Sequence, residues 1–149
     1  MEVVIVLGGP NTKEDIKALL ENRYAKAYKD FRFVGVDGGA LRLLDQHLPM
    51  EVAIGDFVTK EQRDLIHGAA STVVQLPCEK DNTDFEAALL WVKEHYEGTP
   101  IHVLGSFGGR VDHAISTLWT MMRPDLAPLI PYVVFEDATN VVNFIQPGT

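Results

Sequence analysis

Met1-Glu2-Val3-Val4-Ile5-Val6-Leu7-Gly8-Gly9-Pro10 is the stretch on which the fold turns. Its apolar run is unbroken and mostly β-branched, and it stops at two glycines and a proline. A strand with one wet face alternates polar with apolar residues. A strand covered on both faces does not, and this is the pattern of a central parallel strand. The run is too short to span a bilayer and has no basic residues before it. It therefore predicts a buried first strand rather than a signal peptide.

Runs of the same kind recur along the chain. Val3–Leu7, Phe33–Val36, Val52–Ile54, Val73–Leu76, Ile101–Leu104 and Tyr132–Phe135 are candidate strands. Helical patterns fill the gaps. Thr12 with Asp15 resembles a capping box before Ile16, Leu19, Leu20 and Tyr24. A helix is expected from Ala40 to about Leu48. Thr59 with Gln62 opens another that carries Leu65 and Ile66. Thr83 with Glu86 opens a third, whose inner face is Phe85, Ala88, Leu89 and Val92. A last helix, near Asp112 to Met122, carries Ile115, Leu118 and Trp119, and the Leu118, Trp119, Met122 stripe is expected in the core. The proline-containing stretch from Arg123 to Pro131 is expected to be a loop. The alternation predicts an α/β, three-layer, Rossmann-like domain with a mainly parallel sheet. Residues 1–138 form its expected extent. Residues 139–149 read as a linker or the start of a truncated C-terminal β domain.

Composition narrows the function. The chain has 149 residues, 46% hydrophobic and 23% charged, with a net charge of −8. No basic cluster offers a footprint for nucleic acid, and no apolar run suits a membrane. A single cysteine, Cys78, excludes an internal disulfide and suits a reducing cytoplasm. Five histidines and one cysteine show no zinc spacing. An acidic chain still accepts an anionic nucleotide when a divalent cation lies between them.

Four segments follow predicted strands, so all four are expected on one edge of the sheet, where ligands of such sheets bind. Asp37-Gly38-Gly39-Ala40 pairs a carboxylate with glycines that admit a close backbone approach at a helix start; a tight strand-to-helix turn is the plain alternative. Gly55-Asp56-Phe57-Val58-Thr59 places Asp56 where a Mg²⁺ ligand would stand, or simply turns into the Thr59 cap. Lys80-Asp81-Asn82-Thr83-Asp84-Phe85-Glu86 sets Lys80 beside two carboxylates. Glu86, and in part Asp84, are accounted for by the helix dipole. Gly105-Ser106-Phe107-Gly108-Gly109-Arg110-Val111-Asp112-His113 joins glycines, Arg110 and Asp112. Arg recognises phosphate with a planar fork. Taken together, several carboxylates with Lys80 and Arg110 on one edge read as metal-assisted chemistry on a phosphate compound.

In order, Asp37–Ala40, Ile54–Phe57, Pro77 with Lys80–Leu89, and Gly108–His113 resemble the motifs of the thiamine pyrophosphokinase family. The resemblance implies transfer of a pyrophosphoryl group from ATP to the hydroxyl of thiamine, with Mg²⁺ required and AMP released. It implies Asp56, Asp81 and Asp84 as metal-holding and, with Lys80, catalytic residues. It implies Asp37, Gly38, Gly39, Ser106, Gly109, Arg110 and Asp112 around the nucleotide. It also implies a cytoplasmic homodimer whose C-terminal β-sandwich helps form the thiamine pocket. Two departures stand out. The family pattern Gly-Asp-Phe-Asp-Ser reads Gly55-Asp56-Phe57-Val58-Thr59 here, so a carboxylate is replaced by Val58. The β-sandwich is also expected to be essentially absent. A catalytically weakened nucleotide-binding module, or a pyrophosphokinase with another alcohol acceptor, is the alternative.

Overall fold

The computed structural model describes residues 1–8, 17–24, 26–55, 60–75, 84–106, 111–137 and 141–144. Seven strands form one sheet: β1 (Glu2–Val6), β2 (Phe31–Val36), β3 (Met50–Gly55), β4 (Ala70–Gln75), β5 (Ile101–Leu104), β6 (Val133–Glu136) and β7 (Val141–Asn143). Their order is β4-β3-β2-β1-β5-β6-β7. Every pairing from β4 to β6 is parallel, and β7 lies antiparallel on β6. The α/β class and the mainly parallel sheet are therefore as expected.

The first strand shows why its sequence does not alternate. Val3, Ile5 and Leu7 enter one core and Val4 and Val6 the other, and all five are buried. The first core is closed by helix α3 (Asp84–His95), which contributes the expected Phe85, Ala88, Leu89 and Val92. Phe85 meets Phe135 of β6 edge to face at 5.8 Å, a favoured aromatic geometry. The second core is closed by α1 (Gly38–Asp45), α2 (Lys60–Ala69) and a helical segment over residues 17–24. That segment ends in a π-helical turn, Leu20–Tyr24, with Leu19, Leu20 and Tyr24 buried. Thr12, Asp15 and Ile16, expected at its start, lie outside the described residues, as do Thr59 and Thr83.

Three expectations are corrected, and α2 shows which of its apolar residues faces the sheet. Helix α1 ends at Asp45 rather than near Leu48, where His47 takes a positive φ of 54°. On α2, Ile66 is buried but Leu65 is 62% exposed, because the short helix turns only one row toward the sheet. Helix α4 (Val111–Trp119) continues as a 3₁₀ turn, Thr120–Met122. It points Thr117, Thr120 and Met121 inward and leaves Ile115, Trp119 and Met122 exposed, so of the expected core stripe only Leu118 packs against the first core. Thr120 can go inside because its hydroxyl donates to the Ser116 carbonyl at 3.1 Å. Finally, Pro124–Tyr132 is not a loop but a run of 3₁₀ turns burying Leu126 and Leu129. Proline suits a helical φ but lacks the N–H that a long α-helix needs, so Pro128 and Pro131 leave short turns as the available helical form. The expected loop residue Arg123 binds Glu86 and Asp125 at its start.

One polar cluster crosses the second core. The Glu136 side chain is buried at the end of β6. The Tyr24 hydroxyl donates to it, and Arg23 does so at 3.1 Å. His102 of β5 stands between carboxylates, with Nδ1 3.5 Å from Glu136 and Nε2 3.4 Å from Glu2. Among the described residues neither ring nitrogen makes a well-aligned hydrogen bond, so this is proximity of charge rather than directed bonding. The Glu136 carboxylate beside it raises the affinity of His102 for a proton, and burial only partly opposes this. Burial works to raise Glu136, but His102, Tyr24 and Arg23 overcome it and hold the carboxyl below its ordinary value. Burial first, and then Glu136, push the Tyr24 phenol well above its usual range.

Candidate active site

The sheet order places a reversal beside β1. From β1 the chain moves outward through β2, β3 and β4, then returns to lay β5 on β1's other side. Two neighbouring strands whose connections leave in opposite directions open a crevice at their carboxyl ends, where open α/β sheets bind ligands. Leu7–Gly8 leaves β1 there and Gly105–Ser106 leaves β5. The Leu7 amide still donates to the Leu104 carbonyl at 2.8 Å, carrying the pairing to the lip of the crevice.

Backbone is packed against backbone around this point. A β-carbon on Gly39 would lie 1.8 Å from the Val6 carbonyl oxygen, and one on Gly8 would lie 2.8 Å from the Cα of Gly38. One on Gly105, which has a φ of +87°, would lie 2.4 Å from the Leu7 carbonyl oxygen. A side chain has no room at Gly39 and both no room and the wrong backbone at Gly105. These contacts bring the segments after β2 and β5 directly against the end of β1.

Asp37 joins the end of β3 to the same place. It has φ 49° and ψ −122°, a backbone region that residues with a β-carbon seldom adopt, and its side chain makes no cap bond to α1. Its Oδ1 instead reaches across to Gly55, where a β-carbon would lie 2.1 Å away. Its amide donates to the Ile54 carbonyl at 2.9 Å. The side chain thus stands over the ends of β2 and β3 together.

Ser106 is fully buried, and its hydroxyl has no hydrogen-bond partner among the described residues. A buried hydroxyl normally finds a partner, and leaving one unpaired is unfavourable by roughly 1–3 kcal/mol. An orphan of this kind at the mouth of the crevice is what a ligand or a water would satisfy.

Of the expected site residues, Asp37, Gly38, Gly39 and Ser106 are thus gathered around the end of β1. Asp84 opens α3, after the segment that leaves β4, and is half-buried. Asp112 falls in the first turn of α4, where only its backbone is described. Asp56, Lys80, Asp81, Gly109 and Arg110 lie outside the described residues. Among the described residues no group of three or more His, Cys, Asp or Glu gathers as a metal cage. Mg²⁺ does not need one, since it takes one or two carboxylates and completes its shell with phosphate oxygens and water. The carboxylates at this edge are hard oxygen donors of the right kind.

Sequence reasoning overlooked two parts of the site. Gly8 was read only as the end of a strand, yet it packs on Gly38. Arg42 of α1 drew no attention, yet its Nη1 donates to the Leu7 carbonyl at 3.3 Å. Its place one turn inside the helix after Asp37 was the available signal, because helical side chains lean back toward the N-terminus.

Residues 25–131 match the family model described as "Thiamin pyrophosphokinase, catalytic domain". The chain is 34% identical over 121 residues to the thiamine pyrophosphokinase of Bacillus subtilis (strain 168), covering 80% of this chain and 53% of that protein. It therefore spans about half the length of the curated relative it matches. A crystal structure of a thiamin pyrophosphokinase family protein from Enterococcus faecalis superposes with a TM-score of 0.82 at 29% identity, over 99% of this chain and 67% of that one. The thiamine pyrophosphokinase structure from Bacillus subtilis gives 0.74 at 30% identity, over 99% and 66%.

Proposed function

Because this chain belongs to the thiamine pyrophosphokinase family, we propose that it carries the nucleotide-handling half of an enzyme that moves a pyrophosphoryl group from ATP to the hydroxyl of thiamine. The thiamine oxygen would attack the β-phosphorus of ATP. The bond from that phosphorus to the α–β bridging oxygen would break, AMP would leave, and the hydroxyl proton would be released. Such a displacement depends mainly on positioning and on neutralising phosphate charge. The observation that carries the reading is the convergence of the Asp37-Gly38-Gly39 and Gly105-Ser106 segments on the reversal point of the sheet, in a chain that matches this catalytic domain.

In this reading Asp37 and the Gly38-Gly39 turn lie against the nucleotide, together with Ser106, Gly109 and Asp112. Lys80 and Arg110 meet phosphates. Asp56, Asp81 and Asp84 hold Mg²⁺, which when bound offsets phosphate charge. A cytoplasmic homodimer is the assembly that goes with the reading. Val58 favours a second reading, in which the chain binds nucleotide but turns over weakly, since valine offers no ligand where the family pattern has a carboxylate.

The test is AMP release from ATP and Mg²⁺, with and without thiamine, for the chain and for Val58→Asp, alongside direct ATP binding. Thiamine-dependent AMP from the unaltered chain supports the first reading. Binding without turnover, with turnover gained by Val58→Asp, supports the second. A chain that binds no nucleotide defeats both.

A further inference from the structure

The outward row of α4 is apolar where a surface helix normally carries polar and charged residues. Ile115 and Trp119 are one α-helical turn apart, and Met122 follows one 3₁₀ turn later. They are 56%, 72% and 53% exposed. The row cannot swivel out of solvent, because the other side of the same turns is already packed. Met121 is buried in the first core and Leu118 lies against it. From Ala114 to Met122 no residue is charged, in a chain whose net charge is −8. Trp119 alone leaves roughly 150 Å² uncovered. With Ile115 and Met122 it forms a contiguous apolar patch of the kind that marks an interaction surface.

We propose that the Ile115, Trp119 and Met122 face of α4 is the contact through which two copies of this chain associate, with Trp119 on the two-fold axis. Two properties of the row select a second copy. The first is its symmetry. Ile115 and Met122 stand one turn to either side of Trp119, so two antiparallel α4 helices would set Trp119 on Trp119 and Ile115 of each copy on Met122 of the other. A two-fold interface needs a surface complementary to itself in this way. The second is charge. Two acidic copies repel over much of their surfaces, and that repulsion is smallest where neither presents a charge. Burying the row on both copies would remove on the order of 600 Å², a central share of the ~1,600 Å² of a standard interface that the surrounding rim completes. A rigid aromatic at the centre is the usual anchor of such a contact, and Met122 can adapt its shape to it. The homodimer named above has no surface assigned to it. This one rests on α4 and not on nucleotide chemistry, so a failed ATP assay leaves it standing.

The experiment is sedimentation equilibrium of the unaltered chain, Trp119→Glu, Trp119→Lys and an equimolar mixture of the two variants. Trp119 is mostly exposed, so neither substitution should disturb the fold, and circular dichroism checks this. The unaltered chain should form a dimer as its concentration rises. Each variant alone should dissociate about 30-fold more readily or beyond. The mixture should recover the dimer, because a carboxylate then faces an ammonium across the axis. A monomer at every concentration overturns the proposal and leaves the row to another chain. A dimer that Trp119→Glu leaves intact overturns it as well. A mixture that stays monomeric overturns the placement of Trp119 on the axis. A second measurement leaves position 119 unaltered. The chain has two tryptophans, so in Trp91→Phe only Trp119 remains to emit. Its fluorescence should shift to the blue as concentration rises, and emission that stays unchanged overturns the proposal.

Discussion

The Tyr24 hydroxyl donates to the buried carboxylate of Glu136, tying the helical segment after β1 to the sixth strand of the sheet. Removing that donor leaves a buried charge short of a partner. Tyr24→Phe and Glu136→Ala should therefore each destabilise the fold by about 1–3 kcal/mol, the second because it takes the acceptor from the buried phenol and the carboxylate from beside His102. Urea unfolding of both single variants and the double variant measures the coupling. Strict additivity of the two would show that the contact contributes nothing of its own.

The same cluster sets a pH window. Glu136 is held below its ordinary value of 4.5, so its contribution is present above that value and is lost as pH falls through the lowered one. His102 is raised above 6.5, so its contribution is full below that value and is lost as pH rises through the raised one. Thermal melting against pH should show stability falling on both sides of this range. His102→Gln should flatten the alkaline side and leave the acid fall in place.

Two glycines should respond oppositely to alanine. At Gly39 the new methyl would meet the Val6 carbonyl at 1.8 Å, with backbone on both sides and no flexible group to yield. A loss of roughly 1–3 kcal/mol or more is expected. At Gly68, in α2, an added β-carbon meets nothing within 4 Å. Alanine there should stabilise by about 0.5–1 kcal/mol through better helix propensity. Chemical denaturation of the two variants side by side checks both signs.

Asp84 separates helix stability from chemistry. As the first residue of α3 it interacts with the helix dipole, worth about 0.3–1 kcal/mol at a surface position. As a proposed metal ligand it should matter far more to turnover, by roughly 10- to 100-fold or beyond. Asp84→Ala should therefore lower thiamine-dependent AMP formation much more than it lowers the unfolding midpoint. Equal effects would leave Asp84 as a helix-start residue alone.

Local periodicity made most of the architecture legible. The unbroken Val3–Leu7 run and the inner face of α3 were read correctly because burial on two faces, or on one helical row, leaves a direct trace in residue order. Trp119 and Met122 were misread for the converse reason. An apolar stripe shows that a face exists but not that anything covers it, and α4 with its 3₁₀ turn buries two threonines instead. The Glu136 cluster was invisible because Tyr24, His102 and Glu136 are distant in the chain and meet only once the strand order is known. Asp37 and the glycine pairs were found as loops, whereas Leu7, Gly8 and Arg42 became part of the site only when the sheet showed where its direction reverses.

That reversal also sets when the site can exist. Val3 pairs with Phe33's neighbour Arg32 on one side and with Ile101 on the other. The first partner follows soon in the chain, and the second arrives only after β3 and β4 have also been made. Closing so long a loop is slow. During synthesis the crevice therefore has one wall until β5 docks, and a nascent chain cannot hold a ligand there. Ligand binding would report the last long-range step of assembly, and a saturating ligand would act on that step by favouring chains in which it is complete.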